Sequence, residues 1–258
     1  MAGSKNTSPE TFALCGKGGV GKTTISAALV RILSEDTSKK VLAIDADPAI
    51  GLATALGFDP KRTVDNIRND LIDRVGEGDS TDRQSLIEQL DYEVFEALEE
   101  QKNVAFLAIG RPEKAGCYCS VNSFLKDIIS SISEGFDYVV IDGEAGIEQV
   151  NRRVMETVDH LLVVSDLSRK GLTVASTIAD VSEKAITSVS TGLIVNRLRK
   201  GEEAERLELP PNLSLFCALP ESDDVRNMDI DGRSVFTLES EPVLQILRGA
   251  LENLKIKN

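Results

Sequence analysis

Residues 16 to 24 read Gly16-Lys-Gly-Gly-Val-Gly21-Lys-Thr-Thr24, a glycine-rich stretch between an apolar run and an amphipathic segment. The spacing fits the pattern G-x-x-x-x-G-K-[ST], in which the glycines let backbone N–H groups converge on phosphate oxygens. A helix that starts at this point would add the positive end of its dipole. The stretch therefore predicts a nucleotide-phosphate loop between a strand and a helix.

Individual roles within this loop follow from the residue types. We expect the side chain of Lys22 to reach the β- and γ-phosphates and the hydroxyl of Thr23 to ligate Mg²⁺. A glycine-rich turn without a ligand is the alternative, and it leaves the lysine and the threonine unexplained. The residues predicted to contact the nucleotide are Gly16, Lys17, Gly18, Gly19, Val20, Gly21, Lys22, Thr23 and Thr24.

The rest of the chain alternates short apolar runs with longer amphipathic segments, which is typical of a parallel sheet with helices on both faces. We predict one α/β domain of the P-loop type over residues 11–258, after a flexible lead at 1–10 and with a helical excursion at about 61–102. The predicted strands are 12–15, 41–45, 104–109, 138–142, 161–165, 193–196 and 213–218. The predicted helices are 23–34, 121–133, 149–157, 172–185 and 242–256, with one more near 86–98 inside the excursion.

Composition excludes several classes of function. The chain has 258 residues, and its 29 Lys and Arg against 42 Asp and Glu give a net charge of −13. A surface this acidic argues against general binding to nucleic acid or anionic lipid. No apolar run approaches the roughly 20 residues that span a bilayer, and the first residues are polar. We therefore expect a cytoplasmic protein with reduced thiols and with neither a nucleic-acid nor a membrane partner.

Lys17 narrows the class, because a lysine as the second residue of the loop is the mark of the deviant Walker A ATPases. In this respect the chain resembles MinD, ParA and nitrogenase iron protein. The resemblance implies a homodimer with nucleotide between the subunits, in which Lys17 contacts the phosphates bound by the other subunit. Such a cation would neutralise charge in the transition state of hydrolysis, as an arginine finger does. An exposed lysine without a function is the alternative.

Acidic residues end two of the predicted strands, at the edge of a parallel sheet where ligands bind. Asp45 and Asp47 resemble the switch I segment of this class, which implies that Asp47 orients or deprotonates the attacking water and that Asp45 lies nearer Lys22 and Mg²⁺. Asp142 resembles a Walker B acid that holds Mg²⁺ through water. The alternative for Asp45 and Asp47 is that they cap the next helix.

Two further pairs of residues follow late strands. Asn196 and Arg197 resemble the base-reading motif of MinD-like ATPases, and the amide of Asn196 can both donate to and accept from the adenine edge. Pro220 and Glu221 come after the next strand and are predicted to form the other wall of the pocket. Because no N-K-x-D guanine signature is evident, we expect ATP rather than GTP as the substrate and ADP as the product.

Cys117 and Cys119 form the one close cysteine pair. In an extended segment residues i and i+2 point to the same side, so both thiols can face one ligand. Two thiolates are too few for a closed soft-metal site, but a twofold dimer would supply four. Zn²⁺, Ni²⁺, Cu(I) and an iron–sulfur cluster all suit such a site. The alternative is that the two cysteines only fill space.

Four segments together resemble the CooC family of nickel-insertion ATPases. They are Gly110-Arg-Pro112, Gly116-Cys-Tyr-Cys119, Asp142-Gly-Glu-Ala-Gly146 and Asn151-Arg-Arg153. The resemblance implies an ATP- and metal-linked homodimer in which Cys117 and Cys119 of both subunits share Ni²⁺ or Zn²⁺. It further implies that nickel is inserted into carbon monoxide dehydrogenase or the related acetyl-CoA synthase. Gly143 departs from the family, whose members often have Asn at that position.

Two other functions remain open. The first is an iron–sulfur electron-transfer ATPase similar to nitrogenase iron protein, although the segment 143–145 lacks the cysteine of that family. The second is a positioning ATPase of the MinD/ParA type that binds membrane or DNA. Leucines at helical spacing near the C-terminus suit a membrane helix, but packing against the sheet explains them more simply. His160, Cys15 and Cys217 are expected to be structural.

Overall fold

Eight strands lie within the residues that the computed structural model describes, which are 8–76, 83–111, 119–143, 154, 157–185, 187–199, 208–239 and 241–257. The strands are β1 Glu10–Gly16, β2 Val41–Asp45, β3 Glu99–Gln101, β4 Val104–Ala108, β5 Tyr138–Asp142, β6 Thr157–Ser165, β7 Thr187–Leu198 and β8 Ser214–Pro220. They form one sheet in the order β3-β4-β2-β5-β1-β6-β7-β8.

All neighbouring strands of this sheet are parallel except β3, which is antiparallel to β4. The carboxyl ends of the parallel strands therefore meet at one edge of the sheet, which we call the carboxyl edge. The first strand, β1, lies in the middle of the sheet between β5 and β6. This arrangement confirms the predicted α/β fold with a mostly parallel sheet.

Helices cover both faces of the sheet. The helices are α1 Lys22–Leu33, α2 Gly51–Leu56, α3 Val64–Gly76, α4 Arg83–Glu96, α5 Cys119–Ser133, α6 Arg169–Ala185, α7 Asp223–Ile230 and α8 Pro242–Lys257. Helices α1, α2, α7 and α8 contribute to the core on one face, and α3, α4, α5 and α6 to the core on the other. Alternate residues of β1 feed the two cores, since Phe12 and Leu14 face one layer and Ala13 and Cys15 the other.

Several predicted elements match the structure and some do not. The strands at 41–45 and 138–142 are confirmed to the residue. The predicted lead at 1–10 overlaps β1, because Glu10 already pairs with Tyr138. The predicted helix at 149–157 is wrong at its end, because Thr157 begins β6. Val154 lies in a turn, and the other residues of this predicted helix are outside the described residues.

The excursion at 61–102 holds more structure than the sequence predicts. It contains α3 and β3 in addition to the predicted helix, which the structure places at α4. Three polar residues make up β3, so it has no apolar pattern to detect. Helix α3 buries Val64, Ile67 and Leu71, but its many charged residues obscure this spacing.

The residues expected to be structural have structural surroundings. His160 is buried in β6, where Nδ1 lies 2.7 Å from Ser190 Oγ and the ring stacks on Phe12 at a centroid distance of 4.8 Å. Burial raises the pKa of the Cys15 and Cys217 thiols to about 12, so both stay protonated at neutral pH. These three predictions are confirmed.

The C-terminal helix packs against the body of the protein. Leu244, Leu247 and Leu251 of α8 are buried in the same core as α1 and β8. Among the described residues, none of the helices combines the length and the apolar character that crossing a membrane requires. Core packing therefore explains the leucine spacing of α8.

Candidate functional site

The glycine-rich loop joins the central strand β1 to the N-terminus of α1 at the carboxyl edge. Its first residue must be glycine, because a Cβ atom on Gly16 would lie 2.2 Å from the carbonyl oxygen of Val164 in β6. Gly21 has φ +95°, and a Cβ atom there would lie 2.5 Å from Nδ2 of Asn196. Both glycines thus allow close approach of neighbouring strands, in addition to any role in binding phosphate.

The two lysines of the loop have different surroundings. Lys22 is buried at the first position of α1, while Lys17 is partly exposed next to the exposed Gly18 and Gly19. Neither ammonium group bonds to another residue within the part of the chain that the structure describes. Lys22 is therefore the buried lysine of the loop and Lys17 the partly exposed one.

Two buried acids stand side by side where β2 and β5 end. Asp45 and Asp142 are paired in the register of the two strands, with relative exposures of 0% and 1%. Burial, with a further contribution from Asp142, raises the pKa of Asp45 to about 7. Burial likewise raises the pKa of Asp142 to about 6, although hydrogen bonds from Thr23 and Ser26 oppose the increase.

The hydroxyl groups of α1 hold the carboxylate of Asp142. Ser26 Oγ donates to Oδ1 of Asp142 at 2.8 Å, and Thr23 donates to the same carboxylate. Ser26 was not predicted from the sequence. It lies three residues after Thr23, so the spacing of one helical turn was a usable signal.

Asp45 performs the capping role that the sequence analysis gave as an alternative. Its Oδ2 accepts the N–H of Leu52 at 2.8 Å in the first turn of α2, and its Oδ1 accepts the N–H of Asp47 at 3.0 Å. Asp47 in turn accepts the N–H of Ala49 at 2.9 Å. The turn ends at Ile50, which has φ +52°, an uncommon value for a β-branched residue. The catalytic role of Asp47 stays a prediction.

The side-chain oxygen atoms at this point of the carboxyl edge fit a magnesium ion. Thr23 Oγ and the carboxylates of Asp142 and Asp45 are oxygen ligands, which Mg²⁺ prefers, and Mg²⁺ ordinarily keeps several waters besides. Within the described residues, His, Cys, Asp and Glu form no cluster of three or more that would hold a metal by itself. A magnesium ion here would therefore depend on Thr23, water and nucleotide phosphate as further ligands.

Asn196 and Arg197 bond to the phosphate loop, and the base-reading role of Asn196 stays a prediction. Its Nδ2 donates to the carbonyl oxygen of Val20 at 2.8 Å, and its Oδ1 accepts the N–H of Arg197 at 2.9 Å. Arg197, at φ +63°, donates from Nη1 to the carbonyl oxygen of Gly19 at 3.0 Å. The end of β7 therefore holds the phosphate loop in place, and each end of the Asn196 amide already has one bond.

A cavity of about 460 Å³ lies beside the loop, between α1, α7 and α8. Pro220 and Glu221 reach it because Glu221 N–H bonds to the Leu198 carbonyl at 2.8 Å at the end of β7. Six predicted site residues line it, namely Gly21, Thr24, Asn196, Arg197, Pro220 and Glu221. Ser222, Arg226 and Glu241 line it as well and were not predicted, since nothing near them in sequence resembles a motif.

Of the two paired cysteines, the structure describes only Cys119. Cys117 and the segments 112–116 and 144–150 lie outside the described residues, as do Asn151-Arg-Arg153. Cys119 is the first residue of α5, which follows β4 and therefore begins at the carboxyl edge. Gly143 is buried at the end of β5, and its N–H donates to the Leu14 carbonyl at 2.9 Å.

A central strand that runs through a glycine-rich loop into a helix, beside two acids at the ends of neighbouring strands, defines a P-loop nucleotide-binding protein. A family model described as AAA domain matches residues 13–193. The chain belongs to this AAA-domain family of P-loop ATPases.

Known proteins agree with this assignment. An ATP-binding protein of Methanocaldococcus jannaschii is 34% identical over 88% of this chain and 90% of the relative. The carbon monoxide dehydrogenase accessory protein CooC of Rhodospirillum rubrum is 30% identical over 82% of this chain and 86% of its own length. The structure of the cell division protein MinD of Aquifex aeolicus superposes with a TM-score of 0.67 at 21% identity, covering 96% and 98% of the two chains, which is a likeness of fold.

Replacing Asp142 by Asn in the protein without nucleotide and divalent cation should reduce the pH dependence of its stability. Folding raises the pKa of Asp142 from 3.8 to about 6, so between these values the folded chain binds a proton that the unfolded chain has lost. Wild-type stability therefore decreases as the pH rises through this range. We expect Asp142→Asn to gain about 1–3 kcal/mol relative to wild type between about pH 4 and about pH 7.5.

Urea unfolding in the presence of a chelator at several pH values measures this difference. Asp91→Asn is the matched control, because Asp91 is exposed on α4. The same pH slope in wild type, Asp142→Asn and Asp91→Asn would contradict the effect that we assign to burial.

Asn196→Ala should weaken the binding of ATP, GTP and ADP by the same factor. The substitution removes the bond to Val20, which holds the phosphate loop whatever base is bound. One hydrogen bond corresponds to a loss of affinity of about 3- to 10-fold. Equilibrium binding of the three nucleotides measures it, with Asn227→Ala, which changes an exposed residue of α7, as the control. A loss confined to ATP would show instead that Asn196 reads the base.

Proposed function

We propose that this chain hydrolyses ATP and inserts nickel into the active-site cluster of carbon monoxide dehydrogenase or the related acetyl-CoA synthase, working as a homodimer. The observation that carries the proposal is the position of Cys119, which begins α5 at the same edge of the sheet as the phosphate loop. Support comes from the relative CooC of Rhodospirillum rubrum, whose name states that it is an accessory protein of carbon monoxide dehydrogenase.

Hydrolysis would use the residues at the ends of β1, β2 and β5. The loop N–H groups and Lys22 would bind the phosphates and stabilise the negative charge that the transition state spreads over them. Asp47 would position the water that attacks the γ-phosphate in line with the leaving ADP oxygen. Magnesium, held near Thr23 and Asp142, would neutralise phosphate charge when bound.

Lys17 would act on the nucleotide of the second subunit. In the described part of the chain its ammonium group has no partner, and the residue is partly exposed. A dimer formed through the carboxyl edge would bring this cation to the phosphates across the interface. Hydrolysis would then require the dimer, which makes the reaction sensitive to what else binds at the interface.

Nickel would be carried as cargo by Cys117 and Cys119 of both subunits. The N-terminus of a helix lowers the pKa of a nearby thiol and so favours the thiolate that binds metal. Because β4 ends and α5 begins at the carboxyl edge, the same dimer would bring together two cysteine pairs and two nucleotide sites. Four thiolates also suit Zn²⁺, so Zn²⁺ is the second ion to test.

Replacing both cysteines should abolish metal-linked dimerisation. We expect one equivalent of Ni²⁺ or Zn²⁺ per dimer to convert monomer to dimer on size exclusion with light scattering. The double variant Cys117→Ser with Cys119→Ser should remain monomeric, because it lacks the thiolates that join the subunits.

Cys217→Ala is the matched control, since Cys217 is a buried thiol of β8 and should keep the metal response. Dimerisation and metal affinity that are unchanged in the double variant would contradict the nickel proposal while leaving the ATPase proposal intact.

Lys17→Gln should reduce ATP turnover without a comparable effect on ATP binding. Loss of a cation that contacts the transition state across the interface should lower the turnover rate by about tenfold or more. ATP affinity, measured separately, should change by less than about threefold. Lys40→Gln, an exposed lysine away from the loop, is the control. Equal losses of affinity and turnover would place Lys17 in its own subunit's site.

A MinD- or ParA-type positioning ATPase is the second candidate. The likeness of fold to MinD of Aquifex aeolicus favours it. The packing of α8 counts against membrane anchoring through this helix, because Leu244, Leu247 and Leu251 are buried in the core. ATP-dependent sedimentation with anionic vesicles or DNA would favour this candidate, and an iron-dependent cluster absorption band would favour an electron-transfer ATPase instead.

A further inference from the structure

One acidic side chain in the cavity beside the phosphate loop is buried without a partner. Glu241 directly precedes α8, is only 4% exposed and lines the cavity. Its backbone carbonyl accepts the N–H of Leu244 at 3.0 Å. Its carboxylate, in contrast, forms no hydrogen bond or ion pair with any residue that the structure describes.

The carboxylate of Glu241 faces the cavity. In the described part of the chain, none of the side-chain oxygen or nitrogen atoms is both fully buried and without a hydrogen-bond partner. The unpartnered oxygens of Glu241 must therefore retain some contact with solvent. Because the residue is almost completely covered elsewhere, this contact is through the cavity that it lines.

The donors that line the same cavity, among them Ser222 and Arg226, form no bond with Glu241 in the part of the chain that the structure describes. Leu238, Val243 and Leu244 line the same cavity, and all three are buried apolar residues. A carboxylate in such a place costs free energy unless a hydrogen-bond donor meets it. The N-terminus of α8 is a favourable position for negative charge and reduces this cost.

Asn196 has only part of its amide left for a base. Its Nδ2 already bonds to Val20 and its Oδ1 to Arg197, so one N–H and one lone pair remain. Glu241 adds to this cavity a buried carboxylate that has no protein partner among the described residues. A carboxylate accepts bonds from a purine amino group or from ribose hydroxyl groups, and both are N–H or O–H donors of a nucleoside.

We propose that Glu241 binds the nucleoside part of the bound nucleotide by accepting hydrogen bonds from its amino or hydroxyl donors. The proposal rests on the ATP-binding function proposed above and names a recognition residue within that same cavity. In this arrangement Glu241 recognises the nucleoside, while Asn196 bonds to the phosphate loop through Val20.

The test compares Glu241→Gln with wild type on a set of matched ligands. They are ATP, purine riboside triphosphate, which lacks the 6-amino group, and the 2′-deoxy and 3′-deoxy analogues of ATP. Loss of the charge-assisted bond should lower ATP affinity by about 5- to 50-fold. The difference between variant and wild type should disappear for the analogue that lacks the donor, which identifies base or ribose as its source.

Controls separate recognition from folding. Glu239→Gln changes an exposed carboxylate two residues earlier and should bind ATP like wild type. Glu241→Ala, tested on the same ligands, is the second variant, and thermal unfolding without nucleotide verifies that each variant is folded. ATP affinity of Glu241→Gln equal to that of Glu239→Gln, or a loss that persists with every analogue, would overturn the proposal. Wild-type protein that binds none of the nucleotides would contradict the ATPase proposal itself.

Discussion

The pairing of two buried carboxylates, Asp45 and Asp142, is the constraint on which the rest of the site depends. Their strands are neighbours in exact register, so both acids arrive at one point of the carboxyl edge with almost no contact with solvent. Two like charges in this position repel, which is why the chain surrounds them with hydroxyl and backbone donors from α1 and α2. A cation close to both carboxylates would offset this repulsion, and a magnesium ion bound to phosphate is such a cation.

The second organising element is the end of β7, which holds the phosphate loop by its carbonyl groups. Asn196 and Arg197 bond to consecutive carbonyls of the loop, at Val20 and Gly19. Fixing a loop through its carbonyls in this way orders the binding groups before the ligand arrives, which lowers the entropic cost of binding.

The sequence predicts the parts of this site that depend on local pattern. The loop from Gly16 to Thr24 carries its own spacing, and the strands that end in Asp45 and Asp142 are apolar runs with clear ends. The bond from Asn196 to Val20 was not predictable, because it joins residues 176 positions apart whose approach depends on Gly21 having no Cβ atom. Glu241 was missed for the same reason, since its burial is produced by helices far away in sequence.

The edge strand β3 has a consequence for how two copies of this chain can meet. It is only three residues long, runs against the other strands and ends the sheet with Glu99, Glu100 and Gln101. Short, acidic edge strands resist pairing with another sheet, so two molecules cannot extend this edge into a continuous ribbon without bringing like charges together. The same feature protects the chain from aggregating by strand addition on that side.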